Sequence, residues 1–495
     1  MKTFPELDPY VYQSGFNNEF ESEAIAGSIP KHQNTPKHPP FGLYAEQVSG
    51  TSFTTPRNLH NYRTWLYKIR PSVVSSNSID EYSRPVAASL STSTVSNGPY
   101  ISDFADAAYS DSHSSNFKQT LWTPFAFPQP DKQIDFIDGI STISGSGSPS
   151  LNSGLSIHIY SCNSSMTSKS FFNSDGDFLI VPQAGVAHFQ TELGYLSVQP
   201  GEIIVIPRGI KFRVFFPEDA NPVKNFRGYI LEVYGAHFEL PDLGPIGSNG
   251  LASPRDFLYP VAAFDKSSIP APGSIINDNS DSSFQIIQKF NAKLFSSSQQ
   301  FSPFDVVSWT GNYAPYKYNL ANFIPVNAVI VDHSDPSIFT VLTAKSLKPG
   351  TAIADFVIFP PNRINPTVNT FRPSYYHRNV MSEFMGCISG TYDARDSSKF
   401  KPGSASLHNC LVPHGPFAAT VRKELFERID DEPSVTADED LTFMFETMFQ
   451  LNTTTWALDI SNNLYKEYYQ GWQDVPTTFK LPSDAKFISN LKPQN

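Results

Sequence analysis

Short apolar runs closed by turn residues constrain this chain more than any other feature. Ile157-His158-Ile159-Tyr160, Asp177-Phe178-Leu179-Ile180-Val181-Pro182 and Ile203-Ile204-Val205-Ile206-Pro207 are of this kind. Phe212-Arg213-Val214-Phe215-Phe216 and Tyr229-Ile230-Leu231-Glu232-Val233-Tyr234 follow. Runs this short, rich in Ile, Val and aromatic residues, suit strands and leave no room for a helix of ordinary length. The pattern fills Leu121 to about Glu239 and returns from Val306 to Leu451, with Val329-Ile330-Val331-Asp332, Ile338-Phe339-Thr340-Val341-Leu342, Phe356-Val357-Ile358-Phe359 and Phe443-Met444-Phe445-Glu446. The chain therefore reads as mostly β. At 495 residues it exceeds one ordinary domain. Two barrel-like domains, 1–300 and 301–495, are expected, joined by the turn-rich stretch 240–300. Residues 1–70, anchored by Phe41, Leu43, Tyr44, Trp65 and Leu66, should wrap a larger body. The Ser-rich segment 74–118 reads as an insertion, with one short helix near Phe104 to Tyr109, and 270–286 as a second. The tail from Ala457 to Trp472 has helical spacing (Leu458, Leu464, Tyr465, Tyr468, Trp472) and predicts a C-terminal helix.

One segment narrows the β class. Gly201-Glu202-Ile203-Ile204-Val205-Ile206-Pro207-Arg208-Gly209-Ile210-Lys211-Phe212 fits the second cupin motif, G-x5-P-x-G-x2-H, at every fixed position but the last. That motif belongs to a double-stranded β-helix, or jelly roll. Phe212 stands where a metal-binding His would be, so the first barrel is expected to hold no metal. His158, His188 and His237 have no carboxylate at ligand spacing and read as structural.

The net charge of −11 argues against a nucleic-acid or anionic-membrane surface. No stretch approaches the 18 or so apolar residues of a membrane span. Met1 to Glu23 lacks the apolar segment of a signal peptide. Cys162, Cys387 and Cys410 are odd in number and far apart, as suits a reducing compartment. A cytoplasmic protein is the expectation.

The chemistry concentrates in Tyr375-Tyr376-His377-Arg378-Asn379-Val380-Met381-Ser382-Glu383-Phe384-Met385-Gly386 and Pro413-His414-Gly415-Pro416. Two neutral imidazoles and one carboxylate on one face of an octahedron form the usual ligand set of a mononuclear non-haem Fe(II) oxygenase. Glu383 precedes Gly390 with the E-x6-G spacing of the first cupin motif, so its side chain can enter a barrel mouth. The zinc-hydrolase pattern H-E-x-x-H is absent. The plain alternative is that His377 and His414 are polar residues beside a turn.

At these residues the chain resembles the homogentisate 1,2-dioxygenase family. The resemblance also covers Tyr12-Gln13-Ser14-Gly15-Phe16-Asn17-Asn18-Glu19-Phe20, Asn173-Ser174-Asp175-Gly176-Asp177, Gly228-Tyr229-Ile230-Leu231-Glu232-Val233-Tyr234-Gly235, Pro315-Tyr316-Lys317-Tyr318-Asn319-Leu320 and Asp335-Pro336-Ser337-Ile338-Phe339-Thr340. It implies a bicupin non-haem iron enzyme of tyrosine and phenylalanine breakdown. Such an enzyme opens the ring of homogentisate, a small aromatic acid, with O2 to give maleylacetoacetate. The resemblance assigns the Fe(II) ligands to His377, Glu383 and His414, with His414 also facing substrate. It assigns Tyr392 and His408 to the substrate pocket, with His408 in a catalytic role. It further implies a hexamer built as a dimer of trimers.

Two departures stand out. Trp309-Thr310-Gly311-Asn312-Tyr313 carries Thr310 where the family reads His, taken as the acid/base beside the substrate hydroxyl. Thr310 cannot accept a proton near neutral pH. Three outcomes follow from that reading. The enzyme is slow because iron alone acidifies the phenol; another His (His408 or His333) takes the role; or the chain is a paralogue with weak activity or another dihydroxy-aromatic acid as substrate. The second departure, Pro361-Asn362-Arg363-Ile364-Asn365-Pro366, is expected to alter the pocket wall. A non-catalytic bicupin binding protein, or a Zn or Mn isomerase needing no O2, are the contrasting classes.

Overall fold

The computed structural model describes residues 8–56, 61–73, 80–82, 118–217, 225–242, 252–270, 284–323, 339–362, 364–365, 371, 375–392, 395, 398–428 and 434–486. Strands dominate, as the short apolar runs require. Ser153–Cys162, Gly176–Ala184, Glu202–Ile206 and Phe226–Tyr234 are buried on both faces and form the middle of a nine-stranded sheet. A seven-stranded sheet, including Ala187–Thr191, Phe212–Phe215, Lys169–Asn173 and Phe284–Phe290, packs against it through aromatic rings. Phe212 does not approach a ligand cluster. Its ring sits among Phe136, Phe171 and Phe189 at 5.5–6.2 Å between centroids, so the position of the missing His is filled by core. Gly209 closes the turn before it with a φ of +85°, a conformation that favours glycine.

The first body carries its polar groups as paired networks. Lys289 Nζ lies 2.5 Å from Asp175 and 2.8 Å from Glu232, while His158 Nε2 meets the other Glu232 oxygen at 3.1 Å. His237 bridges Asp177 (2.7 Å) and the Gly50 carbonyl (2.7 Å). His188 packs edge-on against Tyr10.

The third large sheet has six strands in the order Thr340–Lys345, Ala352–Phe359, Leu441–Thr447, Ser382–Ser389, Ala405–His408 and Thr120–Trp122. Its last strand comes from the N-terminal half. In return Asn452–Thr453 joins the edge of the nine-stranded sheet beside Ile140–Ser148. One apolar core runs through both bodies, and Tyr229 of the first body donates its hydroxyl to Ser404 O of the second (2.7 Å).

Three features differ from the sequence-based expectation. Val306–Gly311 and Tyr316–Asn319, which lie beyond the expected boundary at 300, pair with N-terminal strands. Residues 8–68 do more than wrap a surface: Tyr12–Ser14, Phe20–Glu23, Tyr44–Ser49 and Arg63–Lys68 are strands within two sheets. The tail is two short helical turns, Trp456–Ile460 and Tyr468–Trp472, where one helix was expected. Asn462 takes a left-handed φ of 56°, and Leu464 bridges to Trp122 at the sheet edge.

Of the Ser-rich insertion, only 80–82 and 118 are described, with Asp80–Glu81 pairing to Lys293–Gln299. The helix expected near Phe104 to Tyr109, the strand at Val329, His333 and much of 270–286 lie outside the described residues. Among the described residues no helix is long and apolar enough to cross a membrane. All three cysteines are free, and burial pushes the Cys387 thiol up to about 12.

Candidate metal centre

The centre is assembled where the strand Ser382–Ser389 begins. His377 and His414 form an isolated β-bridge, each amide donating to the other's carbonyl at 3.0–3.1 Å. The chain then bends and enters the strand at Ser382. Glu383 lies opposite His408 on one neighbouring strand and Glu446 on the other. Opposed residues share a face, so three polar side chains point the same way. Gly390 ends the run with a φ of +66°, and a β-carbon there would lie 2.3 Å from Asp440 Oδ1. The E-x6-G spacing therefore has a backbone reason.

His377, Glu383 and His414 bring one donor atom each within 4.8 Å of one another, and no other such group occurs among the described residues. Glu383 Oε2 is 3.0 Å from His414 Nε2, and Oε1 is 3.5 Å from His377 Nε2. Both histidines meet backbone carbonyls through Nδ1, at Tyr375 O (2.8 Å) and Val412 O (2.9 Å). A carbonyl only accepts, so each Nδ1 carries the hydrogen. In the neutral ring Nε2 then presents a lone pair. Two lone pairs facing a carboxylate are repulsive unless a cation lies between them, and a divalent metal fits that demand.

Electrostatics agree. Without a cation between them, His377 and His414 would have to donate Nε2 hydrogens to Glu383, and such bonds outweigh burial and hold its carboxyl well below the usual range. Asn379 Nδ2 donates to Glu383 Oε1 (3.1 Å) and Glu446 Oε1 (2.5 Å), fixing the carboxylate from behind. Burial, and then the Glu383 and Asp355 charges, push Glu446 up to about 7. The site opens on one side: the His377 side chain is 28% exposed, that of His414 only 4%.

Behind His414 lies His408, fully buried and stacked at 4.1 Å. Its Nε2 is 3.3 Å from the Tyr468 hydroxyl and its Nδ1 has no partner. Burial first, then the positive potential of His414 and Arg395, push His408 well below an ordinary imidazole. Tyr392 packs between Phe359 (5.7 Å) and Phe400 (6.2 Å) in the cluster that also holds Tyr468 and Phe417. Asn379, Arg395, Tyr468 and Trp472 thus join a neighbourhood that sequence reasoning had not assigned to them. The helical spacing of the tail pointed at Tyr468 and Trp472 without saying what they pack against.

Thr310 is elsewhere. It is a half-buried residue of Val306–Gly311, paired between Glu21 and Trp65 in the four-stranded sheet. Among the described residues, no hydrogen bond or ion pair of Thr310 reaches His377, Glu383, His408 or His414 of the same chain. Pro361 and Asn362 are described, at the end of Ala352–Phe359, whereas Arg363 is not.

Comparison with known proteins completes the picture. The chain matches a family described as homogentisate 1,2-dioxygenase N-terminal over residues 11–320, and one described as homogentisate 1,2-dioxygenase C-terminal over 321–479. It is 48% identical to homogentisate 1,2-dioxygenase of Mus musculus across 96% of this chain and 99% of that protein. It is 47% identical to that of Arabidopsis thaliana (96% and 94%) and 47% to that of Homo sapiens (94% and 96%). With both halves matched and near-complete coverage, the chain belongs to the homogentisate 1,2-dioxygenase family.

Proposed function

We propose that this chain is a ring-cleaving dioxygenase that binds one Fe(II) through His377 Nε2, Glu383 and His414 Nε2. Its reaction converts homogentisate and O2 to maleylacetoacetate, a step of tyrosine and phenylalanine breakdown. The observation that carries this reading is the convergence of two Nε2 lone pairs on one carboxylate in a member of this family. Mixed nitrogen and oxygen donors with open positions suit Fe(II) better than zinc.

Fe(II) at that position supplies a Lewis acid for a phenolic oxygen and electrons for O2. The remaining work belongs to the chain. Asn379 holds Glu383 so that its oxygens stay aimed at the site. His408, kept neutral by burial, can hydrogen-bond a ring hydroxyl at its unpartnered Nδ1 and so orient the substrate. Tyr392, Phe359 and Phe400 form an aromatic wall that limits how a substrate ring can lie. Tyr468 and Trp472 close the inner end, with Trp472 Nε1 donating to Gly415 O (3.1 Å) beside His414.

The alternative of a weakened paralogue rested on Thr310, and its place in another sheet lends that alternative no support. We extend the reading to a cytoplasmic homo-oligomer, a dimer of trimers. Tyr375, Tyr376, Val380 and Leu411 are exposed on the segments that carry the ligands, and a second chain laid over them would shield the mouth.

The test is metal content together with O2 uptake on homogentisate. Iron at one per chain with uptake, both abolished in Glu383→Ala, is the expected result. Stoichiometric iron without uptake would overturn the substrate, and no metal at all would overturn the centre.

A further inference from the structure

Four cationic side chains are deeply buried among the described residues: Lys68, Lys289, Lys317 and Arg395. Three are neutralised. Lys68 meets Glu192 and Asp305, Lys289 meets Asp175 and Glu232, and Lys317 meets Asp8 and Glu202. Arg395, 8% exposed, has no carboxylate within ion-pair distance among the described residues. Its Nη1 donates to Gly415 O at 2.9 Å, its guanidinium also hydrogen-bonds the Tyr468 hydroxyl, and its Nε is buried with no hydrogen-bond partner. A buried charge without a counter-charge is destabilising by several kcal/mol, and no carboxylate among the described residues supplies one to Arg395, which leaves a place for an anion carried by a ligand.

Its location says which anion. Gly415 follows the ligand His414 directly, so the guanidinium sits one residue from the metal cluster. It lies 6.0 Å from the Tyr392 ring centre and adds to the positive potential felt by His408 and Tyr468. His408 Nδ1, also buried and unpartnered, is a second unfilled polar atom in the same neighbourhood. An aromatic acid whose ring faces His408 and Tyr392 brings a carboxylate and a hydroxyl together, and the two vacancies match those two groups. A guanidinium fork is the side chain best shaped for a carboxylate.

We propose that Arg395 binds the carboxylate of the substrate and so selects aromatic acids over their neutral analogues. This rests on the function proposed above and adds the residue that recognises the acid group. The rival role is positional: Arg395 merely pins Gly415 O and thereby holds His414 in place. That role would affect charged and neutral substrates alike.

The experiment compares wild type, Arg395→Gln and Arg395→Lys, loaded with Fe(II). Binding of homogentisate and of its methyl ester is measured under nitrogen, and kcat/KM for both under oxygen. In Arg395→Gln the acid should bind about 100-fold more weakly while the ester changes less than about 3-fold, with part of the loss recovered in Arg395→Lys. Parallel loss for acid and ester, or no loss for either, overturns the proposal. If Arg395→Gln does not fold, Arg395→Lys carries the same comparison with an expected shift of about 10-fold. Phenylacetate separates this proposal from the function it rests on. Wild type that ignores homogentisate yet binds phenylacetate only with Arg395 intact would sink the substrate and keep the anchor. Binding of neither acid would sink both.

Discussion

Each ligand imidazole gives one nitrogen to the backbone and keeps one for the site. That division, more than the identity of the residues, makes His377 and His414 candidate ligands and leaves His237 a structural cation between Asp177 and Gly50. Thr310 illustrates the converse. The residues around it are family-like, but its side chain stands in the four-stranded sheet. Replacing it with His should therefore leave kcat/KM on homogentisate within about 3-fold, whereas restoring a lost general base would raise it roughly 100-fold or more. Steady-state O2 uptake decides between them. The candidate ligand cluster was legible in sequence because its spacing puts one bend and one strand start between His377 and Glu383. Arg395 and Asn379 were not. What distinguishes Arg395 is a partner it lacks, and what distinguishes Asn379 is a pair of carboxylates brought together only by strand pairing. Which sheet a strand joins is likewise not written in the strand's own residues, and that is why Thr310 reads differently in three dimensions.

At the scale of elements, Ser382–Ser389 is the strand on which the site depends. It is flanked on both sides and has no room to shift. A β-carbon on Gly386 would meet Phe443 Cε1 at 2.3 Å and Tyr229 Cζ at 3.0 Å. Gly386→Ala should destabilise the protein by about 1–3 kcal/mol through overpacking. It should also weaken metal binding, because the displaced strand carries Glu383. Urea midpoints and iron titration test the two parts, and a variant that is unchanged in both would show that Phe443 yields freely. The apolar runs marked the main strands, within a residue or two for Gly176–Ala184, Glu202–Ile206 and Phe212–Phe215 but three or four residues short at the start of Ser153–Cys162, Phe226–Tyr234 and Ala352–Phe359. The tail differs. Its apolar spacing suits a helix, yet the docking of Leu464 beside Trp122 overrides local preference.

At the scale of the whole molecule, acidity should loosen the fold through His188. Burial pushes its imidazole down to about 4 from 6.5. The unfolded chain therefore takes up a proton at His188 before the folded one does. Its contribution is intact above pH 6.5 and is lost as pH falls towards 4, amounting to about 3 kcal/mol in all. His188→Phe, with Tyr10 and Phe215 as aromatic neighbours, should flatten the stability profile over that window. Equal acid slopes in the two proteins would show that other groups govern it.

The exchange of edge strands bears on how such a chain can be made. Thr120–Trp122 must wait for Ala405–His408 to emerge from the ribosome, and the nine-stranded sheet lacks its last edge until Asn452–Thr453 has been synthesised. Neither half can finish without the other, so most of the chain must exist before either sheet is complete. A nascent or prematurely terminated product would present open sheet edges to its neighbours.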